Sequence, residues 1–367
     1  MQITRIRLKN FRNYAALDIR LAPGLTVFYG ANAQGKTNIL ESIYLCCTGR
    51  SHRTVKDGDL VRWDSAGAYV GIDFQREGVA RVIEMTIQPD KAKKVRLDGK
   101  IIPRIGQMMG QLNAVLFSPE DLKLVKEGPG MRRRFLDMEL SQLYPTYFYH
   151  LQQYHRALKQ RNALLREGRA HPRALEQLPA WDEQLVASLL PVVATRKRFV
   201  AELSGHAADI HRQLTGGGER LEVSYQASLD AADAQAAAQA LKGSLKEDLR
   251  RATTCLGPHR DDFAISANGV PLRAYGSQGQ QRTAALSLRL SELTLMQTHM
   301  GQAPILLLDD VMSELDVERQ NLLLRFVMGQ QAVVTCTDLT QLPEGLKSRM
   351  RAVEVSRGTV ADPGSMR

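Results

Sequence analysis

Eight residues decide most of what this chain can fold into. Gly30-Ala31-Asn32-Ala33-Gln34-Gly35-Lys36-Thr37 fit the pattern G-x-x-x-x-G-K-[ST]. The preceding segment, Leu25 to Tyr29, reads as a strand and the following one, Lys36 to Cys47, reads as a helix. Glycines let the backbone curl so that successive N–H groups point inward, and the helix N-terminus adds partial positive charge, so the loop is built to cradle an anion. The four fixed letters arise by chance in about one chain in 70 of this length. In such a cradle Lys36 would reach the β- and γ-phosphates of a nucleotide, and the Thr37 hydroxyl would ligate Mg²⁺.

The second half of such a site is an apolar strand ending in acid, and Ile305-Leu306-Leu307-Leu308-Asp309-Asp310 supplies it. Asp309 would hold Mg²⁺ through water while Asp310 would orient or deprotonate the attacking water. Lys36 and Asp309 are 273 residues apart, too far for a compact P-loop fold unless a domain is inserted between them. The hydrophobic period supports an insertion. The first 120 residues read as strands at Gln2 to Leu8, Leu17 to Leu21, Ala68 to Gln75, Arg81 to Gln88, Lys94 to Leu97 (closing at Asp98-Gly99) and Ala114 to Ser118. From Met131 to Leu214 the period is helical. One stripe runs Tyr147, Leu151, Tyr154, Leu158 and Leu165; a second runs from Leu185 through Val192 and Phe199 to Leu214, and the two predict an antiparallel pair with a bundle core. Gly168 to Pro179 reads as their connecting loop, and Gly216-Gly217-Gly218 ends the second helix. An Ala-rich helix, Ala231 to Arg251, precedes a return to α/β texture: strands at Ile305 to Asp309, Ala332 to Cys336 and Ala352 to Val355, a helix at Glu318 to Met328, and a frayed end at Ala361 to Arg367. The expected division is an N-terminal half over 1–125, a helical lobe over 126–225 and a C-terminal half over 226–367.

Composition narrows the class further. Of 367 residues, 44% are hydrophobic and 24% charged, a folded and not a disordered profile. No apolar run approaches the length of a membrane span, and Met1 to Asn10 lacks an apolar signal segment. Cys46, Cys47, Cys255 and Cys336 show no CxxC spacing and the histidines form no HExxH, which argues against a zinc site or disulfide framework and favours the cytoplasm. Forty-nine Lys and Arg against 39 Asp and Glu leave a net charge of +10, which favours a polyanionic partner.

Three further stretches carry a family resemblance. Tyr275-Gly276-Ser277-Gln278-Gly279-Gln280-Gln281-Arg282 resembles the signature motif of ABC-type ATPases, Ser313-Glu314-Leu315-Asp316 resembles their D-loop, and Ile3 to Tyr14, with Arg12, resembles the first strand and adenosine-contacting turn of SMC-type heads. Leu256-Gly257-Pro258-His259-Arg260-Asp261-Asp262, Phe117 to Leu122, Arg132 to Asp137 and the doubled aspartate before SELD are similar to blocks of the RecF family. The implied fold is an α/β ABC-type P-loop ATPase head with an inserted α-helical lobe and no long coiled coil. The resemblance implies ATP and Mg²⁺ as cofactors, with the nucleotide held by residues 30–37, Asn38 and Arg12. In this fold class a signature serine completes the site of a second protomer, so Ser277, Gln278, Gly279, Gln280 and Asp316 would act in trans in an ATP-dependent homodimer. The implied role is a nucleoid-associated recombination mediator at duplex and gapped DNA junctions that aids RecA loading with RecO and RecR in fork repair and the SOS response. Asp310 stands where most ABC ATPases have Glu, and its shorter reach predicts slow turnover. Thr337-Asp338 stands where many carry a switch histidine, and Phe117 to Leu122 lacks the Q-loop glutamine.

Duplex DNA would be met by lysine and arginine. The candidates are Lys91, Lys93, Lys94 and Arg96 on a predicted hairpin, and Lys123, Lys126, Arg132, Arg133 and Arg134 near the lobe boundary. No aromatic platform interleaves them, which favours duplex over single strands. Two other classes share the ATPase chemistry: a transporter subunit, disfavoured by the insert and the basic balance, and an SMC-type tether, disfavoured by the missing long coiled coil.

Overall fold

In this computed structural model, which describes residues 1–361, the chain leaves a first compact unit at Asp121, builds a second over Leu122–Leu288, and rejoins the first at Arg289. The first unit begins with β1 (Gln2–Phe11), β2 (Tyr14–Arg20), β3 (Leu25–Tyr29), α1 (Lys36–Thr48), β4 (Ala68–Arg76), β5 (Val79–Gln88), β6 (Lys91–Leu97), β7 (Lys100–Ile102) and β8 (Ala114–Phe117). Strands β1, β2 and β4 to β7 form an antiparallel sheet in the order β2-β1-β4-β5-β6-β7. In β1 the inward positions Ile3, Ile6, Leu8 and Phe11 are buried, with a register shift between Ile3 and Arg5. The expected Asp98-Gly99 closure is a hairpin turn with both residues left-handed (φ 51° and 77°), the geometry that matches strand twist; its second arm, β7, carries no legible period in three residues.

The second unit holds α2 (Leu122–Lys126), α3 (Pro129–Leu143), α4 (Pro145–Glu167), α5 (Leu178–Leu214), β9 (Leu221–Gln226), α6 (Ala234–Arg251), β10 (Asp262–Ala267), β11 (Val270–Pro271), α7 (Leu272–Tyr275) and the start of α8 (Gln278–Met300). Helices α4 and α5 run antiparallel, since Arg161 pairs with Asp182 and, nearer the other end, Arg196 donates to the Tyr147 hydroxyl. Tyr154, Leu158, Leu185 and Leu189 of their stripes make a core, joined by Val193. The connecting segment is a 3₁₀ turn at Pro172–Gln177. The division differs from the expected 125/126 and 225/226. The first crossing lies close by, but the second is at 288/289, because Ala237 and Leu241 of α6 pack into the α4/α5 core and β9 pairs with β10 along its whole length. The signature segment therefore belongs to the inserted unit.

The chain returns as β12 (Ile305–Asp309), α9 (Val317–Val327), β13 (Ala332–Cys336), β14 (Met350–Ser356) and β15 (Thr359–Ala361). With β3 and β8 these complete a sheet in the order β15-β14-β3-β13-β12-β8, parallel except for the β14–β15 hairpin. Every residue of β8, β12 and β13 is buried, as expected of parallel strands covered on both faces. Ligands of such sheets sit outside the carboxyl ends of the strands, and β3, β13 and β12 end side by side there. Of the expected frayed end, residues 362–367 lie outside the described residues. Among the described residues no helix is long and apolar enough to cross a membrane.

Candidate functional site

Past Tyr29 the chain turns through three left-handed residues, Gly30 (φ 146°), Ala33 (φ 63°) and Gly35 (φ 115°), before α1. Space demands glycine at both ends of this loop. A Cβ on Gly30 would lie 2.3 Å from the Val355 carbonyl oxygen, and one on Gly35 would lie 2.6 Å from Asn13 Nδ2. Ala31, Asn32 and Ala33 are exposed. The Gln34 carbonyl accepts from Asn13 Nδ2 (2.8 Å) and the Gly358 N–H (3.0 Å), and Gln34 Oε1 accepts from the Arg357 N–H (2.7 Å). The loop is thus clamped between the β1–β2 turn and the β14–β15 turn. Lys36 is buried, and its ammonium donates to the carbonyls of Gly30 (2.7 Å) and Ala31 (3.0 Å), so the positive charge stands inside the curl.

Thr37 Oγ1 donates to Asp309 Oδ1 at 2.8 Å. Thr335, which faces Asp309 across the β12–β13 ladder, donates to the same oxygen at 2.8 Å. No described residue donates to Oδ2. Burial pushes the Asp309 carboxyl above its usual range; the two hydroxyls pull it back, and the neighbouring Asp310 charge pushes it up again. A buried carboxylate with one oxygen unclaimed, beside a threonine hydroxyl, has the donor set of a hard-cation site. Asp310, just past β12, is left-handed (φ 53°), with its N–H bonded to Thr335 Oγ1 at 3.0 Å. Its half-exposed carboxylate has no hydrogen-bond partner among the described residues, and its left-handed backbone is one that aspartate adopts more readily than most residues.

Arg12 is fixed as a strut. Its guanidinium makes two bonds to Glu41 (2.8 and 2.7 Å) and one to the Asp59 carbonyl (2.7 Å). Burial would push the Glu41 carboxyl up, but bonds from Arg12 and Ser51 outweigh it and hold the group below its usual value. Asn38 donates to Asn13 Oδ1 (2.8 Å) and accepts from Arg53 (2.9 Å). Arg12, Asn13, Asn38, Arg53 and Trp63 line an open cavity of about 680 Å³ beside the phosphate loop. Thr335 and Trp63 escaped the sequence-based expectations. Thr335 reveals itself only through strand register, whereas Trp63 had a signal, being one of two tryptophans and set between Arg62 and Asp64.

The signature segment is a helix cap. Ser277 Oγ accepts from the Gln280 N–H (3.2 Å) and the Ser277 N–H donates to Gln280 Oε1 (2.9 Å), the reciprocal pairing of a capping box. Gln280 Nε2 donates to Glu219 (2.9 Å), which faces buried His211. The Gln280 side chain is therefore engaged within its own unit, while Ser277, Gln278 and Gly279 stand exposed. Asp316 caps α9 through the Arg319 N–H (2.9 Å). Asp338 likewise caps the following 3₁₀ turn through the Thr340 N–H (2.8 Å), and in the Phe117 to Leu122 stretch Asp121 accepts from the Ser118 N–H (2.9 Å).

The expected DNA contacts need correction. Arg132 is buried, paired with both carboxylate oxygens of Asp262 (2.6 and 2.8 Å) and seated over the Phe263 ring. Lys93 donates to the Gly49 carbonyl (2.8 Å) and Asp57 (2.6 Å) and is nearly buried. Arg133 donates to the Asp261 carbonyl (2.8 Å). These three hold the fold, because a charge that starts or ends beside buried backbone finds carbonyls and carboxylates before it finds solvent. Lys91, Lys94, Arg96 and Lys126 are exposed, and Lys123 is half-buried.

The profile of the "RecF/RecN/SMC N terminal domain" family matches residues 2–359. A curated DNA replication and repair protein RecF from Acetivibrio thermocellus is 43% identical over 92% of this chain and 94% of its own; one from Lachnoclostridium phytofermentans is 41% identical over 98% and 99%. Among solved structures, the recombination mediator protein RecF of the RecFOR pathway, with ATPrS, superposes with a TM-score of 0.91 at 33% identity over 98% of both chains, and a RecF–ATP structure does so with the same score and identity over 98% of this chain and 97% of its own. An SMC head domain from Pyrococcus furiosus, at 18% identity and a TM-score of 0.54, shares the fold.

Proposed function

The chain belongs to the RecF family of DNA replication and repair proteins, and from that premise we propose that it is an ATP-gated recombination mediator acting on duplex DNA beside single-strand gaps. The observation that carries this reading is the Thr37–Asp309 contact, which joins the phosphate loop to the acidic strand end across the inserted unit. In the proposed mechanism the loop amides and Lys36 take the β- and γ-phosphates, with Lys36 exchanging its two carbonyl bonds for phosphate oxygens. Mg²⁺, held by Thr37 and Asp309, would neutralise charge on the phosphates when bound. Asp310 orients the attacking water, and its short side chain makes hydrolysis slow. Two protomers enclose two ATP molecules, with exposed Ser277 and Gly279 of one completing the site of the other, and hydrolysis releases the pair. ATP is then a switch for DNA binding, in concert with RecO and RecR toward RecA loading.

The test is binding to gapped, duplex and single-stranded DNA with ATP, ADP or no nucleotide at two salt concentrations. Duplex-containing DNA should be held in ATP and released as salt rises. Affinity indifferent to nucleotide, or greatest for single strands, defeats the reading.

A further inference from the structure

Trp63 has no place in the phosphate chemistry, yet its setting is specific. The indole is 92% exposed, an unfavourable position for a large apolar ring unless something covers it. The residue sits in a turn closed by the Ser65 N–H to the Arg62 carbonyl (3.1 Å), with Asp64 left-handed at φ 61°. The turn is anchored to the β1–β2 turn, where the Arg12 N–H donates to the Leu60 carbonyl and the Arg62 N–H to the Asn10 carbonyl, both at 2.8 Å. Trp63 therefore forms one wall of the cavity whose other wall, Asn13 and Asn38, is bonded to the phosphate loop. A cavity of about 680 Å³ falls in the range of small-ligand sites.

We propose that Trp63 is the stacking platform for the purine base of the nucleotide whose phosphates occupy the Gly30 to Thr37 loop. A rigid ring open to solvent offers its face to a flat base at little conformational cost, and every base has a π-face that can stack on it. Carboxylates of Asp59 and Asp64 line the same cavity and offer acceptors to an exocyclic amino group. This inference rests on the nucleotide reading above and adds the subsite that separates a nucleotide from a bare polyphosphate.

The experiment measures calorimetric affinity for ATP, UTP and inorganic tripolyphosphate, with tryptophan fluorescence, in wild type, Trp63→Ala and Trp63→Phe. Expected is fluorescence quenching by ATP and not by tripolyphosphate, lost in Trp63→Phe, where only Trp181 still emits. Trp63→Ala should weaken ATP about tenfold or more, leave tripolyphosphate unchanged and erase the preference for ATP over UTP; Trp63→Phe should retain most of the ATP affinity. Equal ATP affinity in wild type and Trp63→Ala, or equal losses for ATP and tripolyphosphate, overturns the subsite alone. Wild-type protein that binds neither ligand overturns the nucleotide reading and the subsite with it.

Discussion

Asp121 and Arg289, the residues at which the chain leaves and rejoins the first unit, form an ion pair of 2.7 Å between largely enclosed side chains. Burial pushes the Asp121 carboxyl up, and Arg289 with the Ser118 N–H pulls it back without cancelling the burial. Arg289 also donates to Glu292, whose side chain is fully buried. Arg289→Ala would leave two carboxylates without this cation, and breaking such a pair costs about 3–5 kcal/mol. Urea unfolding of the full chain checks this, and a loss under about 1 kcal/mol would show that water replaces the arginine. Asp121→Asn should cost less, since it removes the charge that burial penalises.

Lys36→Ala should weaken ATP about 10- to 100-fold, the value of hydrogen bonds to a charged group, and abolish dimerisation at ATP concentrations that just saturate the wild type. The variant should fold, because the carbonyls of Gly30 and Ala31 that it releases belong to a loop whose neighbouring residues, Ala31 to Ala33, are exposed. Analytical ultracentrifugation with and without ATP decides it. A Lys36→Ala dimer at those ATP concentrations would sink the sandwich mechanism.

What was legible in the chain follows the range of the forces involved. The phosphate loop and the β12 acid are local patterns, and each stands where its strand ends. The α4 and α5 stripes read correctly because Tyr154, Leu158, Leu185 and Leu189 share one core. The boundary at 288/289 did not read, because β9 is a six-residue strand whose partner, β10, begins only at Asp262. Nor did the fate of Arg132 and Lys93: charge counts cannot tell a guanidinium aimed at Asp262 from one aimed at solvent. Thr335 was invisible for a similar reason, since only parallel register sets its hydroxyl on Asp309.

His259 makes the inserted unit acid-sensitive. Its Nε2 donates to the Thr254 carbonyl (2.9 Å), and its Nδ1 meets the Tyr154 hydroxyl, which donates to it when the ring is neutral. Burial lowers its pKa from 6.5 to about 4. An unfolded chain binds a proton near pH 6.5 that the folded chain refuses until about pH 4. Stability from this group is therefore complete above pH 6.5, falls as pH drops toward 4, and is level below; the total is on the order of 3 kcal/mol. Denaturation curves of wild type and His259→Asn at intervals from about pH 7.5 to about pH 4 should differ in slope by up to about one proton. Parallel profiles would remove His259 from the account.

Asp310→Asn separates the switch from its release. The substituted side chain leaves the backbone N–H bond to Thr335 in place and tolerates the left-handed conformation, in which Asn and Asp are enriched, so the loop geometry should persist. What the variant loses, in the proposed mechanism, is the carboxylate that would orient and deprotonate water, a contribution of about 10²–10⁴ in rate. ATP affinity should hold, because Lys36, Thr37 and Asp309 are untouched, so the ATP-bound dimer should form and fail to dissociate. Single-turnover hydrolysis combined with sedimentation reads both effects in one sample. Wild-type hydrolysis in this variant would move the base elsewhere, and a monomer at saturating ATP would show that Asp310 supports nucleotide binding itself.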